Sequence, residues 1–363
     1  MFLSTEILDN FSAVMIIDSS SWDIPEDLKW IFSGSGGSAS KANCKLQLCY
    51  DYKTGEALLM EETQGTLPDQ KYGRNIPPVI KKGALVIFDL GYWAFDTFWN
   101  IIRQEAFLLS RFNTKVQLWV KNDGDFIKVQ LYEWLKQQAT SAIETEAFLR
   151  KDEKFISIRL IAWKPPEEVV NVRKMKLRKN AKKKGYTPSK ESLAFCEWSI
   201  FITNAGPEMI PGEMIRTCYR VRWNVELIFK SWKSVLNIHR TNVKNNPHRL
   251  KCELYAKLIL AVIVHKLHRY IHSHMWKQER RELSCDKLWK HINSNKQKLH
   301  EKIKEGITCF IDYINSELDY IQVLCEKFHQ NSRKTTLQMI DEMIGDIIPI
   351  RLTLLPLRKV LAA

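Results

Sequence analysis

The stretch Ala84-Leu85-Val86-Ile87-Phe88 constrains this chain most. It is a continuous apolar run between Gly83 and Asp89. It has neither the 3.6-residue stripe of a helix nor the alternation of a half-exposed strand. A run like this belongs to a strand covered on both faces, which points to an α/β protein. A helical pattern follows over about 94–103, then a further strand over 106–112. A second apolar run, Ala13 to Ile17, closes on Asp18 and leads into Ser19, Ser20 and Ser21, which read as a loop. Two predicted strands therefore end in aspartates. The carboxyl ends of strands are where α/β folds place chemistry. Taken singly, each aspartate reads more readily as a cap or loop residue, and Asp23 and Asp96 are the local alternatives.

Residues 45–52 and 56–63 alternate about Lys53-Thr54-Gly55 and predict a β-hairpin. The Gly/Ser-rich segment 33–41 lacks the Gly-Lys-Ser/Thr ending of a phosphate loop and reads as a flexible connection. From about 120 to 163 the pattern is β-like, with Asp123-Gly124 as a hairpin turn, and Leu193 to Asn204 reads as a strand. Residues 250–275 are strongly helical, and 283–345 suggest further helices. His265, His268, His272 and His274 have irregular spacing and basic neighbours, which argues against a metal site.

The 363 residues are 45% hydrophobic and carry a net charge of +14. The excess favours a polyanionic partner, nucleic acid before a membrane surface. Much of it is concentrated in nine basic residues: Arg173, Lys174, Lys176, Arg178, Lys179, Lys182, Lys183, Lys184 and Lys190. That density can neutralise phosphates, although a charge run can also be plain solvated surface. The eight cysteines form no C-x-x-C pair and read as reduced thiols. The longest apolar run, Leu258 to Val264, is too short to span a bilayer, and no signal peptide is visible. A cytoplasmic protein without membrane contact is expected.

Cys218 to Lys233 predicts one uninterrupted helix, because it contains neither Gly nor Pro. Tyr219, Arg222, Glu226 and Lys233 would fall within an arc of about 60° on it. One carboxylate thus shares a stripe with two cations and a phenol. The plain alternative is an intrahelical Arg222–Glu226 pair on a solvated face.

The Tyr-x2-Arg-x3-Glu-x6-Lys spacing resembles the YREK signature of bacterial insertion-sequence DDE transposases. Asp18 closing one strand and Asp89-x-Gly91-Tyr92 closing another strengthen the resemblance, which covers about residues 10–270. It implies an RNase H-like α/β fold with a mixed sheet. Residues 1–120 and 205–245 would form the core, and 121–204 a β-rich insertion with a basic loop. Residues 246–363 would form a helical C-terminal region. It implies a catalytic triad of Asp18, Asp89 and Glu226 holding two Mg²⁺ or Mn²⁺ ions, with Asp18 bridging both. Tyr219, Arg222 and Lys233 would grip phosphates. Trp198 would stack a flipped base, and Trp223 is a further DNA-contact candidate. The basic run (Arg173, Lys174, Lys176, Arg178, Lys182, Lys183 and Lys184) would bind DNA. The partners implied are transposon ends and target DNA, engaged by a homodimer in a synaptic complex. The family's helical DNA-binding domain precedes the first catalytic strand, and here that strand begins about a dozen residues after Met1, so that domain is expected to be lacking. The alternative function is a truncated DNA-binding remnant or an inhibitor of a related transposase.

Overall fold

The computed structural model describes residues 5–327, 334–343 and 353–354. The rest of the expected helical region up to 363 lies outside the described residues. The chain forms two compact units, one built from Met1–Asp9, Ala13–Asp69 and Val221–Gln338, the other from Asn10–Ser12, Gln70–Arg220 and Met339–Ala363.

The first unit holds three antiparallel strands in the order β3-β2-β1: β1 Val14–Asp23, β2 Asn43–Asp51 and β3 Ala57–Gln64. The predicted hairpin is β2–β3. Its Gly55 has φ +76°, and the Arg269 side chain occupies the place a Cβ would take, so two separate reasons require glycine there. Strand β1 differs from expectation. It does not stop at Asp18 but runs on to Asp23, with Ser19, Ser20 and Ser21 paired to Gln47, Leu46 and Lys45. The ladder offered by β2 outweighs the loop preference of the serines. Burial still changes where the sequence changes: Val14 to Ile17 are buried and Asp18 is the first partly exposed residue.

The long helix Pro247–Glu279 contains the expected helical stretch and extends it at both ends. Asn246 caps it by accepting the Arg249 N–H at 3.0 Å, and Pro247 follows at the first position. It is bound to the hairpin by Tyr255 donating to Glu62, and by a 3.0 Å hydrogen bond between His265 Nε2 and the Tyr50 hydroxyl. Farther along, Ile271 and Met275 join Leu283, Leu288, Ile321 and Cys325 in a small core shared with the C-terminal helices.

The second unit carries a mixed sheet in the order β4-β5-β10-β9-β8-β6-β7. Its strands are β4 Leu85–Phe88, β5 Phe107–Arg111, β6 Leu118–Asn122, β7 Asp125–Val129, β8 Ala142–Lys151, β9 Lys154–Trp163 and β10 Ser199–Thr203. β4 and β5 are parallel, joined through the helix Phe95–Arg103, and β4 is buried throughout as its apolar run requires. Asp123 and Gly124 both have positive φ, the geometry of a tight hairpin between β6 and β7. Strands β6 to β9 extend the sheet from β10, so the β-rich stretch continues the same layer.

Two expectations fail here. The basic run is a helix, Glu167–Lys183, rather than a loop. Pro166, Glu167 and Glu168 open it, acidic residues sit at its amino end and lysines at its carboxyl end, as the helix dipole favours. The strand expected from Leu193 begins only at Ser199. Residues Lys190–Ala194 form a helical turn capped by Ser189, whose Oγ accepts the Ser192 N–H at 3.1 Å.

Candidate active site

Asp18 sits where β1 leaves the core. Its Oδ1 accepts the Ser19 N–H at 2.8 Å, and its Oδ2 accepts from Arg222 Nη1 at 3.1 Å. The other terminal nitrogen of Arg222 donates to Glu226. One guanidinium fork thus bridges two carboxylates that are about two hundred residues apart in the chain. The side chains of Asp18 and Arg222 are 16% and 15% exposed, so water screens this bridge less than a surface pair.

The expected single helix is broken. Ile215–Arg220 ends, Val221 and Arg222 form a turn, and Trp223–Ser234 begins. The cause is local. Asn224 Nδ2 takes the Val221 carbonyl at 2.7 Å, and the Val225 N–H bonds to Arg222, one residue closer than in an α-helix. Glu226 then lies in the first turn of the new helix, where a negative charge is favoured.

Lys233, in the last turn, donates to the Ser21 carbonyl at 3.0 Å and lies 5.8 Å over the Trp22 ring. Burial lowers its pKa. Asp18, Ser19, Trp22, Glu226, Lys233 and His239 line an open cleft of about 610 Å³ in the first unit. Of these, Trp22, Ser19 and His239 are not among the site residues that the sequence predicts. The two-residue period of a strand that runs to Asp23 puts Trp22 on the face of Asp18.

Asp89 follows β4 in the second unit and caps a short turn, its Oδ1 accepting the Gly91 N–H at 2.7 Å. The local alternatives have other partners. Asp96 is paired with Lys151 at 2.7 Å, which holds its carboxyl below the usual range, and Asp23 accepts from Asn43 at 2.9 Å. Tyr219, also in the second unit, packs edge-on against Phe201 with ring centroids 5.0 Å apart.

Two of the expected DNA contacts have neighbours within the second unit. Trp198 is 6% exposed, with Lys164 Nζ 5.0 Å from its ring centroid, so little of the indole is open to solvent. Arg173 points inward. It donates to the carbonyls of Trp198 at 3.0 Å and Cys196 at 3.3 Å and to Ser199 Oγ at 2.8 Å, and desolvation lowers its pKa. Lys174 is paired with Glu197 at 2.6 Å. Lys176, Arg178, Lys182, Lys183 and Lys184 are exposed, as is Trp223 at 56%.

Oxygen donors of this kind suit a hard divalent cation, and Asp18 and Glu226 already converge on one cationic group. Among the described residues no group of three or more His, Cys, Asp or Glu side chains is gathered as a metal site. No described helix is long and apolar enough to cross a membrane.

The first unit unites a strand aspartate and a helix glutamate on one guanidinium, within a basic α/β chain. The family described as Transposase DDE domain matches residues 9–263, well over half of the chain. The chain belongs to that family, and is an enzyme of DNA transposition. It is 28% identical over 346 residues to the transposase for insertion sequence element IS231E of Bacillus thuringiensis subsp. finitimus, covering 91% of this chain and 72% of that protein. It is 29% identical over 350 residues to the transposase for element IS231B of Bacillus thuringiensis subsp. berliner, covering 92% and 72%. Against the transposase for element IS1151 of Clostridium perfringens the identity is 26% over 344 residues, covering 91% and 72%. The mixed α/β architecture agrees with an RNase H-like transposase, and the remnant reading is not favoured.

Proposed function

We propose that this transposase cleaves and joins DNA at insertion-sequence ends with Asp18, Asp89 and Glu226 as its carboxylate set. The observation that carries the reading is the Arg222 fork between Asp18 and Glu226. It brings together the strand aspartate and the helix glutamate that the YREK resemblance pairs. Asp89 enters on its position after a buried parallel strand and on the family match.

Asp18, Asp89 and Glu226 would hold Mg²⁺ or Mn²⁺, which when bound supplies Lewis-acid polarisation of the phosphate and a more nucleophilic water or 3′-hydroxyl. The protein's own residues do the rest. Arg222 exchanges its carboxylate partners for phosphate oxygens, which its planar fork can hold in pairs. Lys233 presents a point charge to the same backbone, with Tyr219 and Trp223 as further contacts. Lys176, Arg178, Lys182, Lys183 and Lys184 bind DNA without reading its sequence. We place the reaction in a homodimer working in the cytoplasm.

The test is Mg²⁺-dependent cleavage of a DNA fragment carrying the element's ends, with Glu226→Gln alongside. Cutting by the wild type and binding without cutting by the variant are expected. Equal cutting by both would sink the assignment of Glu226.

A further inference from the structure

The two cations of the Tyr-Arg-Glu-Lys pattern are held in opposite ways. Arg222 is ion-paired to both Asp18 and Glu226. Lys233 has no carboxylate partner among the described residues. Its ammonium is supported by the neutral Ser21 carbonyl and by the face of Trp22. An ammonium that loses water on burial needs compensation, and an aromatic face supplies it without cancelling the charge.

We infer that Trp22 is a positioning residue that acts through Lys233, holding its ammonium in the cleft with its charge uncancelled and available to a DNA phosphate. The inference rests on the reading of this cleft as the DNA-end site. The extended β1 makes the arrangement possible. Asp18, Ser20 and Trp22 alternate onto one face of the strand, so the ring that holds the lysine is set by the strand that carries the aspartate. Trp22 is paired with Cys44 of β2 across the ladder, which fixes the backbone that carries the ring. A lysine stem is long and flexible, and a fixed ring reduces the freedom it loses when a phosphate arrives.

The experiment measures binding of the full chain to a fluorescent 30-base-pair duplex of arbitrary sequence, over a series of salt concentrations. Trp22→Phe keeps an aromatic face. Trp22→Leu keeps apolar bulk without one, and both remain informative if Trp22→Ala fails to fold. Lys233→Ala is expected to weaken binding about tenfold and to reduce the salt slope by about one. Trp22→Leu should weaken it about threefold to fivefold and also lower the slope, while Trp22→Phe stays near wild type. In the Lys233→Ala background, Trp22→Leu should add nothing. Wild-type affinity in Trp22→Leu, or an effect that multiplies with that of Lys233→Ala, overturns the inference. If Lys233→Ala weakens binding and Trp22→Leu does not, this inference alone fails. If the wild-type chain does not bind the duplex at low salt, the DNA reading of the cleft fails with it.

Discussion

Asp18 and Asp89 look alike in the sequence, each an aspartate after a buried apolar run, yet their surroundings differ. In the first unit, Asp18 lies within a strand and takes a charge-assisted hydrogen bond from Arg222, a residue remote in sequence. In the second, Asp89 is satisfied by its own turn, through the N–H of Gly91. Only the long-range bridge carries information about a site. A cap costs the chain nothing beyond local geometry and would form in many proteins.

The largest expected effect tests this contrast directly. Asp18→Asn and Glu226→Gln should each lower DNA cleavage about a thousandfold or more while leaving duplex binding within a few-fold. Asp89→Asn separates cap from catalyst, because asparagine caps about as well as aspartate. A thousandfold loss of cleavage with unchanged thermal stability places Asp89 in the carboxylate set. Full cleavage by Asp89→Asn would leave it a cap and remove it from the proposal.

A second contrast between the units concerns acid. All nine histidines lie at or after His239, so residues 70–220 contain none. In the first unit His265, His268 and His272 are buried along one helix. Burial above all drives the pKa of His265 from 6.5 down to about 3 and of His268 to about 4, and holds His272 well below 6.5. Folded, these rings stay neutral, whereas the unfolded chain takes up protons below about 6.5. Their contribution is therefore present above pH 6.5 and is lost as pH falls towards 4. The slope is at most about 1.4 kcal/mol per pH unit for each ring. Urea midpoints at pH 7.5 and 5.5 should drop for the first unit, followed by the fluorescence of a probe on it. His272→Leu should flatten the drop, since neither ring nitrogen of His272 has a hydrogen-bond partner among the described residues. Equal acid sensitivity in both units would break the comparison.

A smaller effect is expected at the bridge. Arg222→Gln leaves two partly buried carboxylates facing one another, and should cost about 1–2 kcal/mol of stability by chemical denaturation. A fully solvated i,i+4 pair would lose only a few tenths of a kcal/mol.

Much of this was legible in the sequence for physical reasons. The apolar run at 84–88, the β2–β3 hairpin and the helix over 250–275 are encoded by local pattern, and the structure shows them. Local pattern failed where tertiary pairing decided. The serines after Asp18 prefer loops, but β2 offers them a ladder, and that pairing is what carries the strand on to Trp22. The break at Val221–Arg222 was hidden for a similar reason, since Asn224 captures a carbonyl that spacing cannot reveal. The helix at 167–183 was different. Its Pro-Glu-Glu opening encodes a helix start, but the density of basic residues masks it.

That basic helix also divides as the aspartates do, and gives the smallest expected effects. Arg173 is built into the second unit through three hydrogen bonds, whereas Lys182 and Lys183 are exposed. Removing Arg173 leaves the carbonyls of Cys196 and Trp198 and the Ser199 hydroxyl without that donor, so Arg173→Ala should cost about 1–3 kcal/mol. Lys182→Ala should leave stability within about 0.5 kcal/mol, as surface changes do. Its signature should appear only in DNA binding, as a loss of a few-fold at low salt that fades as salt rises. Thermal melts and salt-dependent anisotropy on the two variants check both halves. If Lys182→Ala proved the more destabilising, or Arg173→Ala affected binding alone, the division of this helix into a structural arginine and DNA-facing lysines would be wrong.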